Sequence, residues 1–281
     1  MMKIFINSNS QIRAGWKIIM VIALSVLLLI AMGIGLNRFN ISDTYGVSIF
    51  ISFILAIWIM LRFIDKKDFR YIGVTSFRKS YKDFFVGLIL GIICITLNII
   101  ILIAIGHGEF KGSIFNPNVT PSIISGLILF IIVAVTEELF FRGYIITTMQ
   151  QMNKWWISAF VSSIIFSLTH GALNDNVSFI AVLNLFLAGM LLAYIFIRTK
   201  NIWMCIGFHI TWNYFQGYIF GVAVSGRMIN KSIYTININE GAIAGGGFGL
   251  EGGIINTIVL IGAFIYVRNY SKSSKKITKK I

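Results

Sequence analysis

The sequence predicts an all-α membrane protein, a polytopic bundle of about eight transmembrane helices. Three observations predict it. First, the 281 residues are 57% hydrophobic and only 12% charged, whereas soluble domains carry about 25% charged residues; mean hydropathy is +0.85. Second, apolar runs recur along the whole chain at lengths that cross about 30 Å of hydrocarbon at ~1.5 Å per helical residue. Third, those runs lack the alternation of a lipid-facing strand, which argues against a membrane β-barrel.

The runs cover roughly residues 16–36, 46–63, 84–106, 121–149, 155–170, 178–197, 202–221 and 254–268. The first is too long for the apolar core of a signal peptide and no small-residue cleavage site follows it, so it reads as a retained helix. Pro117 and Pro121, the two prolines, flank the junction before the fourth run. The fifth and the last are the shortest. Cys94 and Cys205 each fall inside a run; such a pair gives neither a disulfide framework nor a metal signature and reads as two buried thiols. Residues 222–253 form one long loop ending in the glycine-rich stretch 241–253. That stretch reads either as a flexible connection or as a lid or re-entrant segment over a site. The chain reads as a single integral-membrane domain, 1–281, with a core motif region at about 121–221.

Lys and Arg orient the bundle. Nineteen of the 24 flank one side: Lys3, Arg13 and Lys17, the cluster Arg62–Lys82, then Lys154, Arg198, Lys200 and the tail from Arg268. The other side has Arg38, Lys111, Arg227 and Lys231, and Arg142 lies inside a run. This bias predicts a multi-pass protein of the cell membrane with both termini cytoplasmic. It also accounts for the net charge of +14, with the anionic lipid bilayer as the partner of the basic loops. No loop is long enough for a folded nucleic-acid-binding domain.

Charge is scarce inside the runs, and therefore informative. Of ten acidic residues, Asp43, Asp65, Asp68, Asp83, Glu109, Asp175, Glu240 and Glu251 fall in loops or at helix edges; Glu137 and Glu138 lie within a span. A charge at the bilayer centre costs about 2.5–3.5 kcal/mol on insertion scales, so such residues are usually paired and functional. Glu138 and Arg142 stand at i, i+4 and share a helix face; Glu137 is rotated by about 100° and faces elsewhere. His209 and Asn213 repeat the i, i+4 spacing on the seventh run, Phe166 and His170 on the fifth. Along straight helices Glu137, His170, His209 and Asn213 stand about 20, 22, 12 and 18 Å from the cytoplasmic helix ends. Three helices can therefore bring a carboxylate, two imidazoles and an amide to one level.

Two chemistries fit this set. Glu137, His170 and His209 could hold a catalytic zinc with an open position for water, or a Glu and a His could activate water directly as base and acid. In either case His209 or Asn213 could donate hydrogen bonds to an oxyanion, and the reaction is hydrolysis of a carbonyl. There is no His-Glu-x-x-His motif, and no Ser or Cys has the setting of a nucleophile. Glu138, neutralised by Arg142, reads as a supporting group that leaves Glu137 free for water.

The ordered set Glu137–Glu138–x-x-x–Arg142, Phe166–x-x-x–His170 and His209–x-x-x–Asn213 resembles the motif set of the CPBP family, the CAAX-prenyl-protease and bacteriocin-processing intramembrane proteases, also called Abi. The stretch Gly249–Leu250–Glu251–Gly252 resembles the end of many bacterial members. The resemblance implies an intramembrane endopeptidase acting on peptide or membrane-protein substrates. Glu137 would be the catalytic carboxylate that activates water, with His170 sharing that role; His209 and Asn213 would orient substrate and stabilise the oxyanion, or His209 would ligate a metal. Glu138, Arg142 and Phe166 would support them. Members have been described both as metal-dependent and as metal-independent glutamate proteases. A bacteriocin-immunity or membrane-binding protein on the same fold is the alternative function, and a proton-coupled transporter a third, though no internal repeat is visible.

Overall fold

The computed structural model describes residues 2–38, 45–171, 177–229 and 231–278; Asp43, Asp175, Lys279 and Lys280 lie outside the described residues. Each apolar run is one helix: α1 Ala14–Arg38, α2 Tyr45–Ile59, α3 Phe77–Ala104, α4 Ser122–Glu138, α5 Trp155–Gly171, α6 Phe179–Thr199, α7 Trp203–Tyr214 and α8 Ile254–Thr278. Three of them continue without a break into π-helical turns, α2 into Met60–Asp65, α4 into Leu139–Ile146 and α7 into Phe215–Ile219. Among the described residues, five helical stretches are long and apolar enough to cross a membrane: Ala14–Gly35, Val47–Asp65, Phe69–Ala104, Ser122–Met152 and Phe179–Thr199. Of the others, α5 has 17 residues and reaches about 25 Å, and the apolar part of α8 is the shorter stretch Ile254–Tyr270.

Local chemistry sets the helix ends. Ser178 caps α6, its hydroxyl oxygen accepting from the Ala181 N–H at 3.1 Å, which satisfies a donor the first turn leaves open. Lys66, Asn153 and Lys200 follow helices in the left-handed region, at φ 55°, 54° and 59°, the conformation that turns a chain out of a helix. The outward faces carry exposed Ile and Leu, as at Leu27 and Ile30 of α1, Ile89 and Ile93 of α3, and Ile258 and Ile265 of α8. Lipid is the natural solvent for such faces.

The inner helix is α7, in which every residue from Met204 to Asn213 is buried. Glycines let α3 come against it. A Cβ on Gly87 would lie 2.2 Å from the Met204 carbonyl oxygen, one on Gly91 2.2 Å from Thr211 Oγ1, and one on Gly207 2.3 Å from the Phe84 carbonyl oxygen. Small residues at such spacing are how membrane helices gain close packing where lipid removes the hydrophobic drive. The close approach lets the Thr211 hydroxyl donate to the Leu88 carbonyl at 2.9 Å. At one end of the bundle, Lys17 of α1 is buried and paired with Asp65, which also accepts from the Tyr144 hydroxyl at 3.2 Å. That ties α1, α2 and the π-helical turn of α4 together.

At the opposite end, two short strands pair antiparallel: β1, Gly108–Lys111, against β2, Thr235–Ile238, with Gly108 opposite Ile238 and Lys111 opposite Thr235. The pair anchors the long loop. Of the two readings of the glycine-rich stretch, the structure has the packed one. Gly249 has φ +96°, and a Cβ there would lie 1.9 Å from the Ala223 carbonyl oxygen; Gly245 has φ +97° and would meet the Gly249 carbonyl oxygen at 2.1 Å. Only glycine permits backbone to lie on backbone in this way. The Gly226 N–H donates to the Phe248 carbonyl at 2.8 Å and the Ile254 N–H to the Ala242 carbonyl at 2.8 Å. The stretch is thus a close-packed lid.

Candidate active site

Glu137 and Glu138 are the last two residues of α4 before its π-helical turn begins at Leu139, and such turns recur at functional sites. Glu138 and Arg142 form the expected i, i+4 pair, with Arg142 Nη1 donating to Glu138 Oε1 at 2.7 Å and both side chains fully buried. The pair is less self-contained than the spacing implied. The same carboxylate oxygen also accepts from His209 Nδ1 at 2.8 Å. Phe166 explains its place in the motif set by what it touches: its ring centroid is 4.5 Å from the Arg142 guanidinium, 4.3 Å from the His170 ring and 6.4 Å from the His209 ring. A guanidinium over an aromatic face is held by the ring quadrupole.

Glu137 faces the two histidines. Its Oε2 lies 3.5 Å from His170 Nε2 and 3.9 Å from His209 Nε2. The far side of each ring determines what these nitrogens present. His170 Nδ1 is 2.9 Å from the Phe166 carbonyl oxygen, which can only accept, so Nδ1 carries the proton. His209 Nδ1 donates to Glu138 in the same manner. In their neutral forms both rings therefore turn Nε2 lone pairs toward a carboxylate oxygen. Three acceptors facing one another require protons or a cation between them. A water or a protonated imidazole meets that requirement.

Two cavities meet at this point. A groove of about 440 Å³ runs between α1, α2, α4 and α5; its walls include Ile22, Ile49, Phe53, Phe140 and Ile165, and Glu137 and His170 stand in it. On the other side lies a small chamber of about 40 Å³ lined by His170, His209, Asn213, Leu192, Trp212 and Glu251, among others. His170 lines both. The four residues predicted to be catalytic thus stand where an apolar groove and the small chamber adjoin.

Residues 119–215 match the family model described as type II CAAX prenyl endopeptidase, Rce1-like. The matched segment is similar to this family of endopeptidases. The match spans all three motifs, Glu137 to Asn213, and bears out the resemblance they carry. No curated protein matches the chain. The matched model is one of endopeptidases, and the five long apolar helical stretches among the described residues fit a protein of a membrane.

Glu251 lies in the long loop, as its sequence position predicts, yet it is buried, 4% exposed, and lines the chamber with His209 and Asn213, which its position alone does not indicate. Its Oε2 accepts from Gln216 Nε2 at 2.6 Å. Burial holds its pKa above the ordinary carboxylate value, and hydrogen bonds, Gln216's first among them, offset only part of that rise. A glutamate inside Gly249–Leu250–Glu251–Gly252, between apolar neighbours, was the available signal.

The donor types at Glu137, His170 and His209 are those of a catalytic zinc, whose tetrahedral ligands at about 2.0–2.1 Å stand roughly 3.3 Å apart. The separations of 3.5 and 3.9 Å are wider, and no group of three His, Cys, Asp or Glu among the described residues is set to hold a metal ion. As they stand, the side chains do not close into a ligand set, and no step below is routed through a metal.

Proposed function

We propose that this protein is an intramembrane endopeptidase of the cell membrane that hydrolyses a peptide bond with water activated by Glu137. The observation that carries the reading is the Glu137 carboxylate set against two imidazole Nε2 atoms at 3.5 and 3.9 Å, each ring fixed from behind. The substrate is a peptide or membrane-protein segment that enters sideways along the apolar groove. The chain acts as one integral-membrane domain with both termini cytoplasmic, as the Lys and Arg bias requires.

In this mechanism a water lies among Glu137 Oε2, His170 Nε2 and His209 Nε2. Glu137 takes one of its protons as the oxygen adds to the scissile carbonyl carbon, a general-base contribution of about 10²–10⁴ in rate. The Asn213 amide, one turn beyond His209 on α7, donates to the oxyanion; one such donor contributes about 10²–10³. Glu137 passes that proton to His170 Nε2, 3.5 Å away; the tetrahedral intermediate collapses, the C–N bond breaks, and His170 delivers the proton to the leaving amine, returning to its neutral form. Glu138 holds His209 in its Nδ1–H tautomer and stabilises its charged form, the role a carboxylate plays behind a catalytic histidine. Arg142 donates to Glu138 Oε1 at 2.7 Å, and Phe166 stacks on Arg142.

The test uses protein reconstituted in liposomes with internally quenched peptides, with and without an S-prenyl anchor. Wild type cleaves, and Glu137→Gln loses about 10³-fold or more in kcat with an unchanged melting temperature. Wild-type activity in Glu137→Gln would contradict the proposal and leave a binding role on the same fold. The donor types of Glu137, His170 and His209 give a second reading, zinc-dependent hydrolysis, which would need these side chains to draw closer than 3.5 and 3.9 Å. Activity that persists after chelation, in protein free of metal by mass spectrometry, supports water activation by residues alone; loss on chelation with recovery on adding zinc supports the metal version.

A further inference from the structure

The chamber behind His209 and Asn213 is closed by Glu251, a residue outside the three motifs and outside the matched segment. Its main chain and its side chain are tied to different helices. Asn184 of α6, fully buried, donates its Nδ2 to the carbonyl oxygens of Glu251 and Gly253, both at 2.8 Å, and accepts from the Thr257 hydroxyl at 2.7 Å. The Glu251 carboxylate reaches across to Gln216 Nε2 at 2.6 Å, and Trp212 also donates to it. His209, Asn213 and Gln216 stand at i, i+4 and i+7, so all three lie on one face of α7 and its π-helical extension. Glu251 therefore binds the same helical face that presents the imidazole and the amide.

The partners of this carboxylate differ from those of other buried acids. Among the described residues no Lys or Arg pairs with it, whereas Glu138 has Arg142 and Asp65 has Lys17. It is held by neutral N–H donors, whose bonds are directional, and so it fixes orientation without neutralising charge. The lid that carries it is built to hold it still, through the backbone-on-backbone contacts at Gly245 and Gly249.

We propose that Glu251 is a positioning residue of the active site: the glycine-rich lid uses it to hold α7 so that His209 and Asn213 meet the reacting carbonyl. The inference rests on the endopeptidase reading, and the experiment separates the two. Glu251→Ala and Gln216→Ala are compared with wild type and with Glu137→Gln in the liposome assay. Hydrogen–deuterium exchange is followed over residues 209–220. Each variant is expected to lower kcat by about 10²-fold, the cost of a misplacement of about 1 Å, with KM within about twofold. Exchange in 213–219 is expected to rise while the melting temperature of Gln216→Ala stays unchanged. Formate, which replaces the missing carboxylate, is expected to recover about tenfold in the kcat of Glu251→Ala. Wild-type kcat in Gln216→Ala overturns the proposal, and so does unchanged α7 exchange in Glu251→Ala. If wild type shows no Glu137-dependent cleavage, the endopeptidase reading fails, and the exchange measurement still decides whether Glu251 holds α7.

Discussion

The α4 stretch Thr136–Ile146 and the lid stretch Gly245–Gly253 each bury a carboxylate against α7 or its π-helical extension, by opposite means. In α4 the charge of Glu138 is met by charge: a guanidinium one turn away and an imidazole from α7, on one oxygen at 2.7 and 2.8 Å. In the lid the carboxylate of Glu251 is met by neutral N–H groups, with Gln216 at 2.6 Å. In the proposed mechanism the first arrangement sets the imidazole of His209 from behind. The second leaves the electrostatics around that imidazole alone and fixes the helix that carries it. On the proposed mechanism, the first region serves the chemistry and the second the positioning.

The largest effect that would break this contrast comes from removing the cation. Arg142→Ala leaves Glu138 buried without its partner and is expected to destabilise the fold by about 3–5 kcal/mol, whereas Glu138→Leu with Arg142→Leu costs much less, because no uncompensated charge is left. Thermal unfolding in detergent compares them; equal losses would mean that the pair is not buried as described. Next comes Glu138→Gln, which keeps the shape and removes the charge behind His209. It is expected to lower kcat by about 10²-fold, about 2.7 kcal/mol, with little change in KM, as steady-state kinetics would show. The smallest effect is in the lid. Gly249→Ala puts a Cβ against the Ala223 carbonyl at φ +96°, a local strain of about 1–3 kcal/mol. It is expected to open residues 241–253 to limited proteolysis while the melting temperature of the bundle holds.

The same division explains what was legible from residues alone. The helices were visible because bilayer thickness imposes length and hydropathy on each run. The pairing of Glu138 with Arg142 was visible because helical geometry brings i and i+4 together. The bond between Glu138 and His209 was not, since it depends on how α4 packs on α7 and on the π-helical turn that begins at Leu139. Gly87 and Gly91 stand four apart in the sequence, yet the backbone of α7 they admit belongs to a run more than 100 residues later. Glu251 was hardest to place. Its burial depends on a lid whose stability lies in backbone contacts between glycines, and glycine carries no side-chain pattern to read.

The central claim is that Glu137 activates a water and does not itself attack the peptide. Single-turnover cleavage in H₂¹⁸O tests it most directly, with mass analysis of both the product and the Glu137-containing fragment of the protein. The account predicts one ¹⁸O in the new carboxylate of the product and none in Glu137. Label in the Glu137 carboxyl group would mean that the side chain had formed an anhydride with the substrate, and would contradict it.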